Sequence, residues 1–232
     1  MSLPLFQPPK NNLFPPNRKN LIRILAGITT AIAVSFLMFY WNQERWPSLV
    51  YDTTGTPPPL AMQGGDPYIR SLMRTISASE SNVAYPYSVL YGGEYVKDLS
   101  QHPDRCVTIV TGPNKGNCTT AAGRYQMLTT TWYETAKYYH PNPSKILFWE
   151  FYSFEPKFQD AVVYAWLKDP TAWGLNIPQL LREEKIEKVL QVLSNTWTSL
   201  GYGIEDNSMT EYLPAIYKEI LQEELQNSKK NS

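Results

Sequence analysis

Glu80 closes a short helical run and is followed, some forty residues on, by Gly123-Arg124-Tyr125-Gln126. A carboxyl group serves as a general acid near neutral pH only if it stays protonated, and partial burial is the usual way of raising its pKa. Leu72, Met73 and Ile76, just before Glu80, can supply that apolar shelter. Gln126, at the expected start of a helix, offers an amide donor and acceptor together. Arg124 suits either a ligand carboxylate or an internal ion pair. Tyr87, Tyr91 and Tyr202 are amphipathic rings fitted to a wet apolar groove, and Tyr125 is expected to face the core with one edge on a cleft. Asp98 and Glu94 are the candidates for a second carboxylate; Asp98 equally suits a turn hydrogen bond, and Glu94 a solvated strand position.

Several elements must position these groups. Ile69, Leu72, Met73 and Ile76 follow the spacing of one buried helix face and predict a helix over 67–79. Residues 83–98, rich in Tyr and Val and broken at Gly92-Gly93, read as a β-hairpin, with Cys106–Val110 as a third strand. Thr131 and Glu134 have capping-box spacing for a helix through Tyr139. Further helices are expected over 156–168, 183–195 and 209–226, with Trp197 in the core. One helix, a small sheet and then several helices is an α+β order.

The chain has 232 residues, enough for one sizeable core, with 43% hydrophobic and 18% charged residues. A formal net charge of zero argues against nucleic-acid binding by phosphate neutralisation. The charge is nevertheless uneven. Residues 1–65 carry Lys10, Arg18, Lys19, Arg23 and Arg45 against only Glu44 and Asp52. From Ile24 to Trp41 no residue is charged, a run of about 27 Å as a helix, close to the thickness of a hydrocarbon core. Basic residues before this run predict a cytoplasmic N-terminus, and Tyr40, Trp41 and Trp46 stand where an interfacial belt belongs. A cleaved signal peptide is the competing reading, but Trp41-Asn42-Gln43-Glu44 offers no small-residue cleavage site.

The expected organisation is therefore a disordered tail over 1–20, a single-pass anchor over 21–41, a Pro/Gly linker over 42–65, a domain over 66–227 and a short tail over 228–232. The domain is expected outside the cytoplasmic membrane. In that compartment Cys106 and Cys118, closing a loop of about a dozen residues, predict a disulfide contributing roughly 3 kcal/mol; in a reducing one they would be thiols. His102 and His140 are the only histidines and no Cys/His ligand spacing occurs, so neither metal nor cofactor is expected.

Five blocks in order carry a resemblance. They are Ser79-Glu80-Ser81; Tyr91-Gly92-Gly93-Glu94 running to Asp98 and His102-Pro103; Ala122–Leu128; Pro156–Val162; and Asn195–Leu200 leading into Gly201-Tyr202-Gly203. Over residues 67–225 the chain resembles the bacteriophage lambda endolysin family, peptidoglycan lytic transglycosylases with a lysozyme-like fold. The resemblance implies a mostly helical lysozyme-like domain with a small antiparallel sheet. It matches Glu80 to the single catalytic acid, acting on the bond between N-acetylmuramic acid and N-acetylglucosamine to leave 1,6-anhydro ends. Peptidoglycan strands are the implied partner, bound through Tyr87, Tyr91, Asp98, Arg124, Tyr125, Gln126 and Tyr202. Two alternatives stand beside this: a hydrolytic muramidase using Glu80 and Asp98, and a peptidoglycan-binding protein without activity. The anchor, linker and cysteine pair are not part of the phage pattern, and Gly201-Tyr202-Gly203 is shorter than the phage loop.

Overall fold

A computed structural model describes residues 56–110, 112, 114–203 and 209–230. The expected N-terminal tail, the anchor and the linker as far as residue 55 lie outside the described residues. Among the described residues no helix is long and apolar enough to cross a membrane.

Helix α1, Pro67–Glu80, is the axis of the fold. Asp66 caps it by accepting from the Tyr68 amide at 3.0 Å, and Pro67 fits the first turn, where an amide hydrogen would have no helical partner. Ile69, Leu72, Met73 and Ile76 are fully buried, which contributes about 1.5–3 kcal/mol for each side chain. The one-faced pattern understates the burial: every residue from Ser71 to Ala78 is inside. The polar members are satisfied locally, Ser71 donating to Pro67 O and Thr75 to Ser71 O.

Helix α7, Leu213–Lys230, lies along α1 and is tied to it by a buried carboxylate. Glu224 accepts from Arg70 Nε at 2.6 Å and from Arg74 Nη1 at 3.1 Å. This helix runs to Lys230, so the tail expected from residue 228 is helical at least that far; Lys229 and Lys230 suit the negative end of the helix.

Residues 56–65 are not a free linker. Arg74 donates to Pro57 O at 3.1 and 2.8 Å, and Arg70 to the carbonyls of Met62 and Gly64. Pro57, Pro58 and Leu60 are buried. The domain thus begins before Asp66, because buried guanidinium groups need acceptors and this extended, proline-rich segment presents its carbonyls in a row.

The β structure is smaller than expected. Residues 83–98 form a 3₁₀ turn at Pro86–Ser88 and then a hairpin much shorter than expected: one bridge, Val89 to Tyr95, with Leu90 N donating to Glu94 O at 2.7 Å and Val96 N to Ser88 O at 2.9 Å, closes around the tight turn at Gly92-Gly93. Strand β1, Val107–Thr108, pairs antiparallel with β2, Cys118–Thr119, and the Cys106–Cys118 disulfide fastens this ribbon. Helix α2, Thr129–Tyr139, starts two residues before the expected cap: the Thr129 amide is taken by the Thr120 hydroxyl at 3.0 Å, and no capping box forms. A second ribbon, β3 Ser144–Ile146 with β4 Trp149–Phe151, carries no alternation clear enough to be predicted.

Helix α3 spans Pro156–Lys168 as expected and is followed by α4, Pro170–Trp173. The helix expected over 183–195 is α6, Ile186–Leu193; it is preceded by a short helix that was not expected, α5 Ile177–Arg182, and the two are separated where Glu184 turns left-handed at φ 58°. A single core runs through these elements, from Leu60 and Ile69 through Trp132, Phe154 and Val163 to Leu190 and Tyr217.

Candidate active site

Glu80 is the last residue of α1, where the helix emerges from the core, and is half-buried. Ser81 stops the helix with a non-helical backbone, its amide still bonded to Ser77 O. Two hydrogen bonds then fix what surrounds the carboxylate. The Ser81 hydroxyl donates to Arg124 O at 2.6 Å, drawing the Gly123–Gln126 turn against the helix end. The Ser199 hydroxyl donates to Glu80 Oε1. Ser199 is held in its turn by the Ser79 hydroxyl, 2.7 Å from its carbonyl and 2.9 Å from its Oγ.

Ser199 sits in a short 3₁₀ turn, Thr198–Leu200, anchored at both ends. Trp197 before it is buried and donates its indole NH to Tyr125 O at 3.0 Å. Leu200 is fully buried, and Gly201 follows at φ +87°, where a Cβ would come within 2.1 Å of Thr210 Oγ1. Only glycine fits there.

The Gly123–Gln126 segment is a tight turn closed by the Ala122–Met127 bridge, with Ala122 bridged to Leu90 on its other side. Gly123 again has no room for a side chain: a Cβ would stand 2.3 Å from Gln159 Oε1. Gln126 therefore ends a turn, with φ 43°, and is not at a helix start, which lies three residues later. Its amide nitrogen donates to Gly123 O at 2.9 Å and Val89 O at 3.3 Å, leaving the carbonyl oxygen to accept from a ligand. It lines a small recess with Leu128, Thr131, Trp166, Thr196 and Trp197.

Three expected substrate contacts lie elsewhere. Arg124 is 0% exposed, Tyr125 1% and Tyr87 5%, so all three support the wall and do not face the cleft. The two phenols converge on Asp160 of α3, and Arg124 joins them through Tyr87. Asp160 accepts from Tyr125 OH at 2.6 Å, Tyr87 OH at 2.8 Å and the Met62 amide at 3.0 Å. Arg124 donates to Tyr87 OH and to the carbonyls of Pro58 and Pro59. Burial drives both phenols far above the ordinary tyrosine range, with the Asp160 charge adding to it. For Arg124 burial acts against the charge, but Tyr87, Tyr125 and Asp160 outweigh it and the pKa rises. Gln159 completes the support, accepting from the Arg124 amide and donating to Tyr87 O and Phe154 O.

Of the remaining candidates, Tyr91 and Tyr202 are half-buried. Burial, helped by the Glu187 charge, raises the Tyr202 phenol. Asp98 is exposed, its carboxylate accepting from the Ser100 amide at 2.9 Å, and the Ser100 bonds hold its pKa below the ordinary value. Glu94 is exposed and ion-paired with Arg105 at 2.7 Å. His102 has a structural role: one ring nitrogen meets Met127 O at 2.9 Å and the other accepts from the Asp104 amide, which pins the end of the Gln126 turn.

Sequence reasoning missed Ser79 and Ser199 as neighbours of the carboxylate, and Gln159 and Asp160 as supports of the turn. No local signal marks Ser199, which is 119 residues from Glu80.

A helix-borne carboxylic acid, half-sheltered beside a tight Gly-Arg-Tyr-Gln turn in a small α+β domain, defines a class with lysozyme-like architecture. The profile of the family described as Endolysin matches residues 70–222. The chain belongs to that family. The endolysin of Escherichia phage lambda is 34% identical over 120 residues, covering 50% of this chain and 64% of the relative. The match thus spans less than two-thirds of that relative's length. A solved structure of bacteriophage lambda lysozyme complexed with a chitohexasaccharide aligns at TM-score 0.51 and 27% identity, over 68% of this chain and 97% of the other. A second structure of lysozyme from bacteriophage lambda aligns at TM-score 0.50 and 26% identity, with the same coverage.

Proposed function

We propose that this protein cleaves the β-1,4 bond between N-acetylmuramic acid and N-acetylglucosamine in peptidoglycan, as a lytic transglycosylase with Glu80 as its single acid and base. The observation that carries this reading is the placement of Glu80: a carboxyl group at the emerging end of a buried helix, oriented by a serine hydroxyl, in a chain of the endolysin family. The lambda relative solved with a chitohexasaccharide favours a glycan polymer as the ligand.

In the proposed reaction protonated Glu80 gives its proton to the glycosidic oxygen, and the bond from that oxygen to the anomeric carbon breaks. The 6-hydroxyl oxygen of the same muramyl residue bonds to the anomeric carbon, and its proton passes to the Glu80 carboxylate. The acid is thereby restored and the product carries a 1,6-anhydro ring. Because the nucleophile belongs to the sugar, its proximity is built in and no enzyme nucleophile is required. A hydrolase would ordinarily need a second carboxylate about 5–9.5 Å from the first. Asp98 and Glu94 are engaged in contacts of their own, with Ser100 and Arg105, which favours the lone-acid reading.

The domain is proposed to lie outside the cytoplasmic membrane on a retained single-pass anchor over 21–41. The uncharged run and its basic flank support this, as does the disulfide, which persists in oxidising compartments.

The test is digestion of purified peptidoglycan by the full chain, with released muropeptides weighed without reduction. Products one water, about 18 Da, lighter than hydrolysis products support the transglycosylase. Ordinary reducing ends would make it a hydrolase, and glycan binding without release would make it a binding protein.

A further inference from the structure

We propose that Ser199 is a positioning residue for Glu80, and that Ser79 sets the direction of the Ser199 hydroxyl. The inference rests on the reading of Glu80 as the acid and adds to it the group that holds it.

Each serine hydroxyl has one proton to give. The Ser79 hydroxyl points at Ser199, where its proton is shared between the carbonyl at 2.7 Å and Oγ at 2.9 Å. With Ser79 donating to it, Ser199 Oγ is an acceptor on that side, and its own proton is directed to Glu80 Oε1. The order Ser79 to Ser199 to Glu80 thus has a single sense, from donor to acceptor. Adjacent hydroxyls in such a chain polarise one another.

The consequences for Glu80 are two. An oxygen that accepts a hydroxyl proton is the carbonyl-like oxygen of a protonated carboxyl group. Acceptance at Oε1 therefore disfavours carrying the transferable proton on that oxygen. The same bond strengthens when the carboxyl group ionises, since charge-assisted bonds are the stronger kind. Ser199 therefore favours the ionised form, and it stabilises the carboxylate at the moment the proton has left.

The donor is also rigid, which separates it from a chance surface serine. Ser199 is bracketed by Trp197, bonded to the Tyr125 carbonyl, and by buried Leu200, with Gly201 locked against Thr210. The acceptor side is equally fixed, because Ser79 and Glu80 end a helix in which every residue from Ser71 to Ala78 is inside. A hydroxyl on such a support pays little entropy to hold one direction, and small errors in the aim of a general acid are costly in rate.

The experiment compares the full chain, wild type, Ser199→Ala, Ser199→Thr and Ser79→Ala, by two readouts. The first is peptidoglycan turnover across pH. In Ser199→Ala, kcat is expected to fall about 10- to 100-fold with KM little changed. The basic limb of the profile, where the acid ionises, is expected to move up by about one pH unit as the carboxylate loses its donor. Ser199→Thr, which returns the hydroxyl, should restore both to within about threefold, and Ser79→Ala should move them the same way by less. The second readout is independent of activity: carboxyl-labelled glutamate NMR, with the Glu80 signal identified by its loss in Glu80→Gln. The Glu80 midpoint should lie higher in Ser199→Ala than in wild type.

An unchanged Glu80 midpoint in Ser199→Ala overturns the inference, whatever the activity. So does a Ser199→Thr protein as impaired as Ser199→Ala. A Glu80 midpoint that rises in Ser199→Ala, together with a wild type that releases nothing from peptidoglycan, would instead sustain the Ser199 contact and overturn the functional reading. Should Ser199→Ala fail to fold, the Ser79→Ala midpoint decides, since an unmoved value there rejects the directed chain.

Discussion

Ser81 Oγ donates to the Arg124 carbonyl at 2.6 Å, joining the residue after Glu80 to the middle of the Gly123–Gln126 turn across 43 residues of sequence. This one bond brings two segments of the site together, and the Asp160 cluster holds the turn from behind. The position of the carboxyl group and the integrity of the core are therefore linked, and they can be separated by mutation.

Glu80→Gln keeps size and hydrogen-bonding capacity while removing the acid. Peptidoglycan cleavage should drop by at least about 10²-fold, the usual weight of a general acid. The thermal midpoint should stay close to wild type. An active Glu80→Gln protein would remove Glu80 from the mechanism.

Asp98→Asn should leave cleavage within about threefold of wild type, with anhydro products unchanged. Its carboxylate is solvated, occupied by Ser100 and held ionised by those bonds, which fits a turn and not an acid that must keep its proton. Muropeptide masses check this. A loss comparable to that of Glu80→Gln would point to hydrolysis with two carboxylates.

A chain starting at Asp66 should be markedly less stable than one starting near residue 50. It lacks the carbonyls of Pro57, Pro58 and Pro59, so Arg74 and Arg124 are left as buried charges short of acceptors. Removing the partners of a buried charge costs about 3–5 kcal/mol. Denaturant midpoints of the two chains measure it, and equal midpoints would show residues 56–65 to be dispensable.

Stability should fall in mild acid. Burial lowers the pKa of His102 and His140 below the ordinary imidazole value. The unfolded chain then binds more protons than the folded one at pH values between the lowered pKa and about 6.5. The contribution is complete above that pH and is lost as pH falls through the folded-state values. Unfolding midpoints at pH 7.5 and pH 5 check the sign, and His102→Asn should reduce the difference.

Reducing the Cys106–Cys118 bond should cost about 3 kcal/mol in the chain-entropy model for a loop of this size. Denaturation with and without reductant measures it. Since the bond fastens the two-residue β1–β2 ribbon and not the core, the far-ultraviolet circular dichroism of the helices should persist.

Much of the fold was legible in the sequence because its signals are local. The spacing of Ile69, Leu72, Met73 and Ile76 gave α1 to within one residue, and the Pro156 start gave α3. The predicted hairpin over 83–98 shrank to a single bridge because Tyr and Val there answer to distant partners: the Tyr87 hydroxyl belongs to Asp160 and Arg124. Helix α5 went unseen, and α6 starts three residues later than expected, because Glu184 adopts a left-handed backbone without a glycine to announce it.

For the site, residue type and order put Glu80 and Gln126 forward as candidates and paired Cys106 with Cys118, which the structure joins, since a carboxyl group, an amide and a thiol carry their chemistry with them. Whether a side chain faces solvent or core is decided by elements far apart in the chain. Tertiary structure alone turned Tyr125 and Tyr87 inward onto Asp160 and Arg124 onto Tyr87 and the proline carbonyls, drew residues 56–65 into the domain, and set Ser199 beside Glu80. The physical reason is that buried polar groups must find partners, and the partners available are whatever the packing of α1, α3 and the 198–200 turn brings within hydrogen-bond reach.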